Sequence, residues 1–183
     1  MAVRLSREII LVADQDRDGM TLLGGDRGHM HVIPHGVDIP DAPWEKDPPD
    51  EARDRLNGQP LIVFIGSAHA PNVEAVSYIL GVLAPRFPEC QFAIVGSVCM
   101  YFDSAPANVL LFGFLEEASK DRLVACADVA VNPMRSGSGS NLKLAEYFAK
   151  SLPTLTTAFG ARGYAIVDGQ EAVICPLDDF PER

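Results

Sequence analysis

Residues 132–147 bring together small residues, one lysine and one glutamate at the start of a predicted helix. The loop is rich in glycine and serine, which lets the backbone approach a ligand closely. Unpaired N–H groups and the positive end of the helix dipole would face that ligand, an arrangement suited to a diphosphate. Lys143 adds a cation about one turn into the helix, and the carboxylate of Glu146 can accept two ribose hydroxyls. The alternative is a flexible loop followed by a weak surface pair, because lysine preceding glutamate opposes the helix dipole.

An alternation of strands and helices must position these residues. Residues 61–65 are an unbroken apolar run, typical of a strand buried on both faces. Asn72 is the predicted N-cap of the next helix, and Asp14 that of a helix over residues 14–23. Repeated strand–helix–strand units predict an α/β fold, a Rossmann-like doubly wound parallel sheet of about six strands with helices on both faces. The other predicted strands are 8–13, 31–33, 92–95, 109–112, 129–132, 154–157 and 172–174, and the other helices are 117–126 and 140–150.

The carboxyl ends of the predicted strands define one edge of the sheet. Ligands of open parallel sheets bind outside this edge. The loops that begin at Gly66, Gly96, Gly113 and Pro133 are therefore the predicted binding loops.

Composition excludes several classes of protein. The 183 residues are 48% hydrophobic, which suits one globular domain with a core. A net charge of −10 argues against a nucleic-acid partner. No apolar run approaches the roughly 20 residues that span a bilayer, and no signal-peptide core follows the N-terminus. The four cysteines, Cys90, Cys99, Cys126 and Cys175, lack metal-like spacing and are expected to be buried thiols in a cytoplasmic protein.

Two groups of residues imitate metal sites. Residues 14–19 resemble the start of a calcium loop, but the twelfth position holds Gly25 where such a loop has glutamate. His29, His31 and His35 are close in sequence but lack a fourth partner. The sequence therefore predicts no metal site and no bound cofactor.

Several segments, in the right order, are similar to the group 1 (family 4) retaining glycosyltransferases. The similarity covers roughly residues 8–175. The matching segments are residues 32–38 for the interdomain segment, 64–67 and 71–76 for the first strand, loop and helix of the second domain, 136–146 and 152–157 for the donor-site signature, and 159–164 beyond it.

This resemblance implies the GT-B fold, in which two Rossmann-like domains enclose the active site. Residues 1–38 would be the tail of the N-terminal domain and the hinge, 39–60 a linker or exposed loop, and 61–183 a C-terminally truncated nucleotide-sugar-binding domain. The implied reaction transfers a sugar from a nucleoside diphosphate sugar to an acceptor hydroxyl, with retention and without a metal. The acceptor, a sugar, lipid or polysaccharide, would bind the missing domain. The chain is thus expected to be a fragment, inactive alone, of a polysaccharide-assembling enzyme in the cytoplasm or at the inner membrane face.

The resemblance also implies roles for individual residues. Glu146 matches the second glutamate of the family's Glu-x7-Glu motif, which holds the ribose, whereas Ser138 stands in place of the first. Ser67 and Val73 occupy positions where many members have a basic pair. Lys143 fits a subgroup with a lysine before the retained glutamate.

The remaining matches are loops. Gly113, Phe114 and Leu115 match the segment whose backbone reads the base, and Gly66 with Ser67 matches the loop near the donor phosphates. No catalytic acid or base is predicted within this chain. The full predicted donor-binding set is Gly66, Ser67, His69, Gly113, Phe114, Leu115, Arg135, Gly137, Ser138, Gly139, Ser140, Asn141, Leu142, Lys143 and Glu146.

Three other functions compete with this one. A dinucleotide-binding dehydrogenase domain would need Gly-x-Gly-x-x-Gly after the first strand, and residues 66–71 do not supply it. A non-catalytic sugar-nucleotide-binding module stays open because Ser138 replaces the first glutamate. A GT-B-type sugar-nucleotide epimerase would bind the same ligand and also stays open.

Overall fold

The computed structural model describes residue 3, residues 6–137 and residues 140–183 of the chain. Ser138 and Gly139, both in the predicted donor site, lie outside the described residues. The strands of the described part are β1 (Ile9–Leu11), β2 (Met30–Val32), β3 (Leu61–Ile65), β4 (Gln91–Val95), β5 (Val109–Gly113), β6 (Val129–Asn132), β7 (Thr154–Thr156) and β8 (Val173–Ile174). The α-helices of four or more residues in the described part are α1 (Asp16–Leu22), α2 (Asp50–Arg53), α3 (Ala70–Tyr78), α4 (Glu117–Ala125) and α5 (Leu142–Ala149).

Six of these strands form one parallel sheet in the order β5-β4-β3-β6-β7-β8. The central strands are apolar on both faces, and in β4 all five residues are buried. Two layers of helices cover such a sheet because each face must be removed from water. The chain runs outward from β3 to β5 and then returns to β6, so the order reverses between β3 and β6.

Two hydrophobic cores lie on opposite faces of the sheet. One contains side chains of α3 and of the π-helical turn Ile79–Leu83 that continues it, packed on Phe64, Phe92 and Ile94. The other packs α4 and α5 on the opposite sides of the same strands and is centred on Leu123, Leu144 and Tyr147. The predicted doubly wound α/β fold is therefore confirmed, with six strands in the main sheet.

Residues 6–37 form a separate small unit. Its strands β1 and β2 pair in parallel with each other and do not join the main sheet. The predicted N-cap at Asp14 is wrong, because α1 begins at Asp16 and Gln15 precedes it as the cap residue. The carboxylate of Asp14 instead accepts a hydrogen bond from Arg17 Nε at 2.6 Å.

Residues 39–60, predicted as a linker or exposed loop, form a segment that we call the strap. Most of the strap is exposed, but Ala52 in α2 is completely buried. Trp44 Nε1 donates a hydrogen bond to the Ala149 carbonyl at 2.9 Å. Asp47 pairs with Arg122 of α4 at 2.7 Å. The strap is therefore attached to both helices of the second core.

The cysteines are all free thiols. Cys99 and Cys175 are buried, whereas Cys90 and Cys126 are half-buried. Burial raises the pKa of all four thiols. Within the part of the chain that the structure describes, no helix is both long and apolar enough to cross a membrane.

Candidate functional site

A cleft of about 250 Å³ opens where the strand order reverses, at the carboxyl ends of β3 and β6. Open parallel sheets bind ligands at this position because the loops on either side diverge there. We call it the switch-point cleft. It is lined by Ile65, Ser67, His69, Pro71, Asn72, Met134, Gly137, Ser140, Asn141, Leu142, Lys143, Glu146 and Arg162.

The amine of Lys143 is buried in this cleft. Its Nζ donates to Asn72 Oδ1 at 2.8 Å and lies 4.0 Å from the centre of the Phe64 ring. Burial lowers the pKa of Lys143 from 10.5 to about 7, with Glu146 opposing and Arg162 adding to this change. An anion bound beside the amine would stabilise its charged form.

Asn72 has a different role from the predicted one. Helix α3 begins at Ala70, two residues before Asn72, and His69 is its cap residue. Proline is favoured in the first turn of a helix because its ring fixes φ and it lacks an N–H group, so Pro71 accounts for this earlier start. The Asn72 amide is left to donate to the Ser67 carbonyl at 3.0 Å while accepting from Lys143. Asn72 thus connects the loop after β3 to the lysine of α5.

Glu146 lies one turn beyond Lys143 and is a quarter exposed. Lys120 Nζ of α4 forms an ion pair with Glu146 Oε2 at 3.1 Å and another with Glu117 at 2.7 Å. Burial lowers the pKa of Lys120, but the two carboxylates outweigh burial and raise it overall. The carboxylate of Glu146 is therefore held beside a fully charged lysine at the rim of the cleft.

Polar contacts connect the strands and loops around the cleft. Asn132, at the end of β6, and Asn141, before α5, both donate to the Gly160 carbonyl, at 3.2 and 2.6 Å. Ser140 Oγ lies 3.0 Å from His35 Nδ1. The contact between Ser140 and His35 joins the glycine-rich loop to the small N-terminal unit.

Arg162, which the sequence-based site prediction left out, also lines the cleft. Its guanidinium lies 4.1 Å from the centre of the Phe159 ring, and Nη1 donates to the Phe159 carbonyl at 3.0 Å. The only signal for Arg162 in the sequence was its position inside the segment 159–164, which resembles the family.

A larger cavity of about 350 Å³ lies elsewhere on the sheet. Its walls are mainly apolar side chains, such as Leu83, Phe92 and Val131, with few polar atoms. None of the predicted site residues that the structure describes lines it. Since phosphates and hydroxyls need polar partners, the smaller switch-point cleft is the better candidate site.

Residues 59–183 match the family model described as "Glycosyl transferases group 1". That range is more than half of the chain. The chain belongs to the group 1 glycosyltransferases. Comparison with curated protein sequences finds no significant match.

Solved glycosyltransferases share the fold at low sequence identity. HepE of Anabaena, solved in complex with UDP-glucose, superimposes with a TM-score of 0.76 at 15% identity, over 99% of this chain and 54% of HepE. WaaG, a glycosyltransferase involved in lipopolysaccharide biosynthesis, superimposes with a TM-score of 0.68 at 18% identity, over 96% of this chain and 52% of WaaG. The pneumococcal O-GlcNAc transferase GtfA, in complex with UDP and GlcNAc, superimposes with a TM-score of 0.62 at 16% identity, over 96% of this chain and 36% of GtfA. The chain spans about half the length of HepE and WaaG, and its fold is that of half of a GT-B glycosyltransferase.

Within this glycosyltransferase domain, the described members of the predicted donor-binding set fall into four groups. The described residues of the glycine-rich loop and α5 line the switch-point cleft, together with Ser67 and His69, and Gly66 directly precedes them. Gly113 and Phe114 border a neighbouring depression, and Phe114 is 78% exposed. Leu115 packs partly against the core of α4 and α5.

Arg135 is separate from this group. It lines two other depressions, one with Thr157 and Phe159 and one with Val73 and Glu74. The structure does not bring it into the switch-point cleft with Lys143 and Glu146.

Proposed function

We propose that this chain is the donor-binding domain of an enzyme that transfers a sugar from a nucleoside diphosphate sugar to an acceptor hydroxyl. The observation that carries this proposal is the convergence of Lys143, Glu146 and the glycine-rich loop in one cleft at the switch point of a group 1 glycosyltransferase domain. The acceptor would bind in a second domain outside these 183 residues.

The diphosphate would lie against the glycine-rich loop and the start of α5. The N–H groups of the first helical turn have no partner within the helix, and the helix dipole adds positive potential there. When the sugar leaves, negative charge grows on the diphosphate. Fixed N–H donors and Lys143 would stabilise that charge directly, so we propose that the transfer needs no metal. We also propose retention, which the resemblance to the retaining family implies.

The ribose would bind to Glu146. A carboxylate can accept a hydrogen bond at each oxygen, which suits the two neighbouring hydroxyls of a ribose. The ion pair with Lys120 at 3.1 Å holds the carboxylate near the rim. A nucleoside diphosphate would thus contact α5 at two points one turn apart, with the phosphates at Lys143 and the ribose at Glu146.

Calorimetric titration with UDP, GDP and ADP tests the donor site. UDP is the first probe because the HepE and GtfA structures contain UDP or a UDP-sugar. We expect one diphosphate to bind, and Lys143→Met and Glu146→Gln to weaken it by roughly tenfold each, since each removes a charged hydrogen-bond partner. Glu89→Gln, a matched change at an exposed position before β4, should leave the affinity unchanged.

A ribose-specific comparison separates the role of Glu146 from a general loss of structure. The wild-type protein should bind UDP more tightly than 2′-deoxy-UDP, and Glu146→Gln should narrow this preference. The donor-site proposal fails if folded protein binds none of the three diphosphates at millimolar concentration. The ribose assignment fails if Glu146→Gln retains the full preference for UDP.

A further inference from the structure

Arg162 contributes a basic side chain to the lining of the switch-point cleft. Neither the sequence-based prediction nor the family comparison gives this residue a role. It lies in the loop after β7, at the same edge of the sheet as Lys143 and the glycine-rich loop. Its position raises the question of which ligand group a fixed guanidinium would meet there.

The backbone that carries Arg162 is held firmly. The Gly160 carbonyl accepts the side-chain amides of Asn132 and Asn141, and Gly160 N donates to Thr157 Oγ1 at 2.8 Å. Gly160 itself leaves no room for a side chain, because an added Cβ would collide with Thr156 and Asn132. The loop is therefore fixed two residues before Arg162, on strand β6 and on the start of α5.

The guanidinium is held as well. It stacks on the Phe159 ring at 4.1 Å and donates to the Phe159 carbonyl. Gly137 of the glycine-rich loop lies beside it, where an added Cβ would come within 2.8 Å of Arg162 Nη2 and 3.9 Å of the Phe159 ring. Arg162 is thus packed on Phe159 and lies close to the loop that borders the cleft.

The electrostatics of the cleft favour an anion beside this group. Lys143, with a pKa of about 7, carries only part of its charge at neutral pH, and Arg162 is one cause of this lowered value. A guanidinium stays charged, and its planar fork matches two oxygens of a phosphate. An anion between the two side chains would remove their mutual repulsion.

We propose that Arg162 binds the diphosphate of the donor together with Lys143, across the glycine-rich loop. This inference rests on the proposed donor site and adds a permanently charged, bidentate partner to it. It also predicts that inorganic pyrophosphate, which lacks base and ribose, is bound by the same two side chains.

The test compares ligands with and without the diphosphate. The tightest-binding of UDP, GDP and ADP, its parent nucleoside and inorganic pyrophosphate are titrated into wild-type protein, Arg162→Gln and Arg162→Lys by calorimetry, with NMR shift titration for millimolar affinities. We expect Arg162→Gln to lower the affinity for the nucleoside diphosphate and for pyrophosphate by a similar factor of roughly tenfold or more. The affinity for the nucleoside should stay unchanged. Arg162→Lys should recover part of the loss, because it restores the charge but not the fork.

Arg86→Gln is the matched control. Arg86 ends the helical segment that starts with α3, and it pairs with Glu182 at 2.9 Å, away from the cleft. It should bind all three ligands as the wild-type protein does. Unchanged pyrophosphate binding in Arg162→Gln, or an equal loss of nucleoside binding, would overturn the inference.

The same titration separates this inference from the proposed function. If the wild-type protein binds no diphosphate, both fail. If Lys143→Met loses diphosphate binding while Arg162→Gln keeps it, the donor site stands and the role of Arg162 is wrong.

Discussion

Lys143 shows how burial changes the chemistry of a single residue. Its amine donates to Asn72 Oδ1, contacts Met134 Sδ at 3.9 Å and lies against the face of the Phe64 ring. An isolated buried cation is costly, so the protein lowers the pKa of the amine to about 7. The site therefore maintains an unfavourable buried lysine that a bound anion would stabilise.

The pH dependence of stability tests this state of Lys143. Its folded-state pKa of about 7 lies below the ordinary 10.5, so the unfolded chain binds more protons between these values. The free energy of unfolding should then rise with pH across this window, by about 2 kcal/mol between pH 7 and 9 from this residue. Urea denaturation at both pH values should show a smaller rise in Lys143→Met than in wild-type protein. Lys46→Met, at an exposed position of the strap, is the control, and equal rises in all three proteins would contradict the prediction.

At the scale of elements, the loops after β3, β4 and β5 are joined to one another through backbone contacts. Gly96 N donates to the Gly113 carbonyl, and Val98 N donates to the Gly66 carbonyl at 3.1 Å. Gly96 has a φ of +106°, and a Cβ there would collide with the Gly66 carbonyl. The close approach of the first two loops thus depends on a residue without a side chain.

Gly96→Ala should therefore destabilise the protein by more than about 1 kcal/mol, since it combines a strained φ with a backbone collision. Gly81→Ala is the matched control, because Gly81 lies in the helical segment after α3 with open space around it. That change should be neutral or stabilising by up to about 1 kcal/mol. Chemical denaturation measures both, and equal effects at the two glycines would show that Gly96 is not constrained as described.

At the scale of the whole molecule, the strap is attached to the helices of the second core. Trp44 makes two of these contacts, with the Lys150 amine 3.8 Å from the ring centre and the indole N–H donating to the Ala149 carbonyl. Lys150 in turn pairs with Asp121 of α4 at 2.7 Å and is almost fully buried. The strap therefore packs on α4 and α5 on the same face of the sheet, and α5 carries Lys143 and Glu146.

Trp44→Ala should release the strap without disrupting the domain. We expect a loss of roughly 1–2 kcal/mol in stability, because a half-buried ring, a cation–π contact and a hydrogen bond are removed. Amide hydrogen exchange and tryptic cleavage at Lys46 and Arg53 should both accelerate within the strap. Trp44→Phe, which keeps a ring but not the N–H, should have a stability between those of the wild-type protein and Trp44→Ala. Exchange that rises equally in β3 and β4 would instead indicate global unfolding.

Much of this protein could be derived from local sequence. Apolar runs located the strands of the main sheet, and the glycine-rich loop before α5 located one wall of the switch-point cleft. Local patterns succeed here because strand burial and helix starts depend mainly on nearby residues. The predictions that Asp14 and Asn72 are N-caps were wrong. Asp14 instead accepts a hydrogen bond from Arg17, and Asn72 accepts one from Lys143, contacts that cap propensity does not predict.

What only the tertiary structure decided was which distant residues meet. The sequence identified Lys143 but not its burial, because Asn72 and Phe64 come from other elements, seventy or more positions away. Likewise, the predicted donor-binding set contains Arg135, which stands beside the glycine-rich loop in sequence, and leaves out Arg162. The fold brings Arg162 to the cleft from the loop after β7, since parallel strands place all their carboxyl ends at one edge. Sequence neighbourhood specified the elements, and the order of the strands in the sheet determined the site.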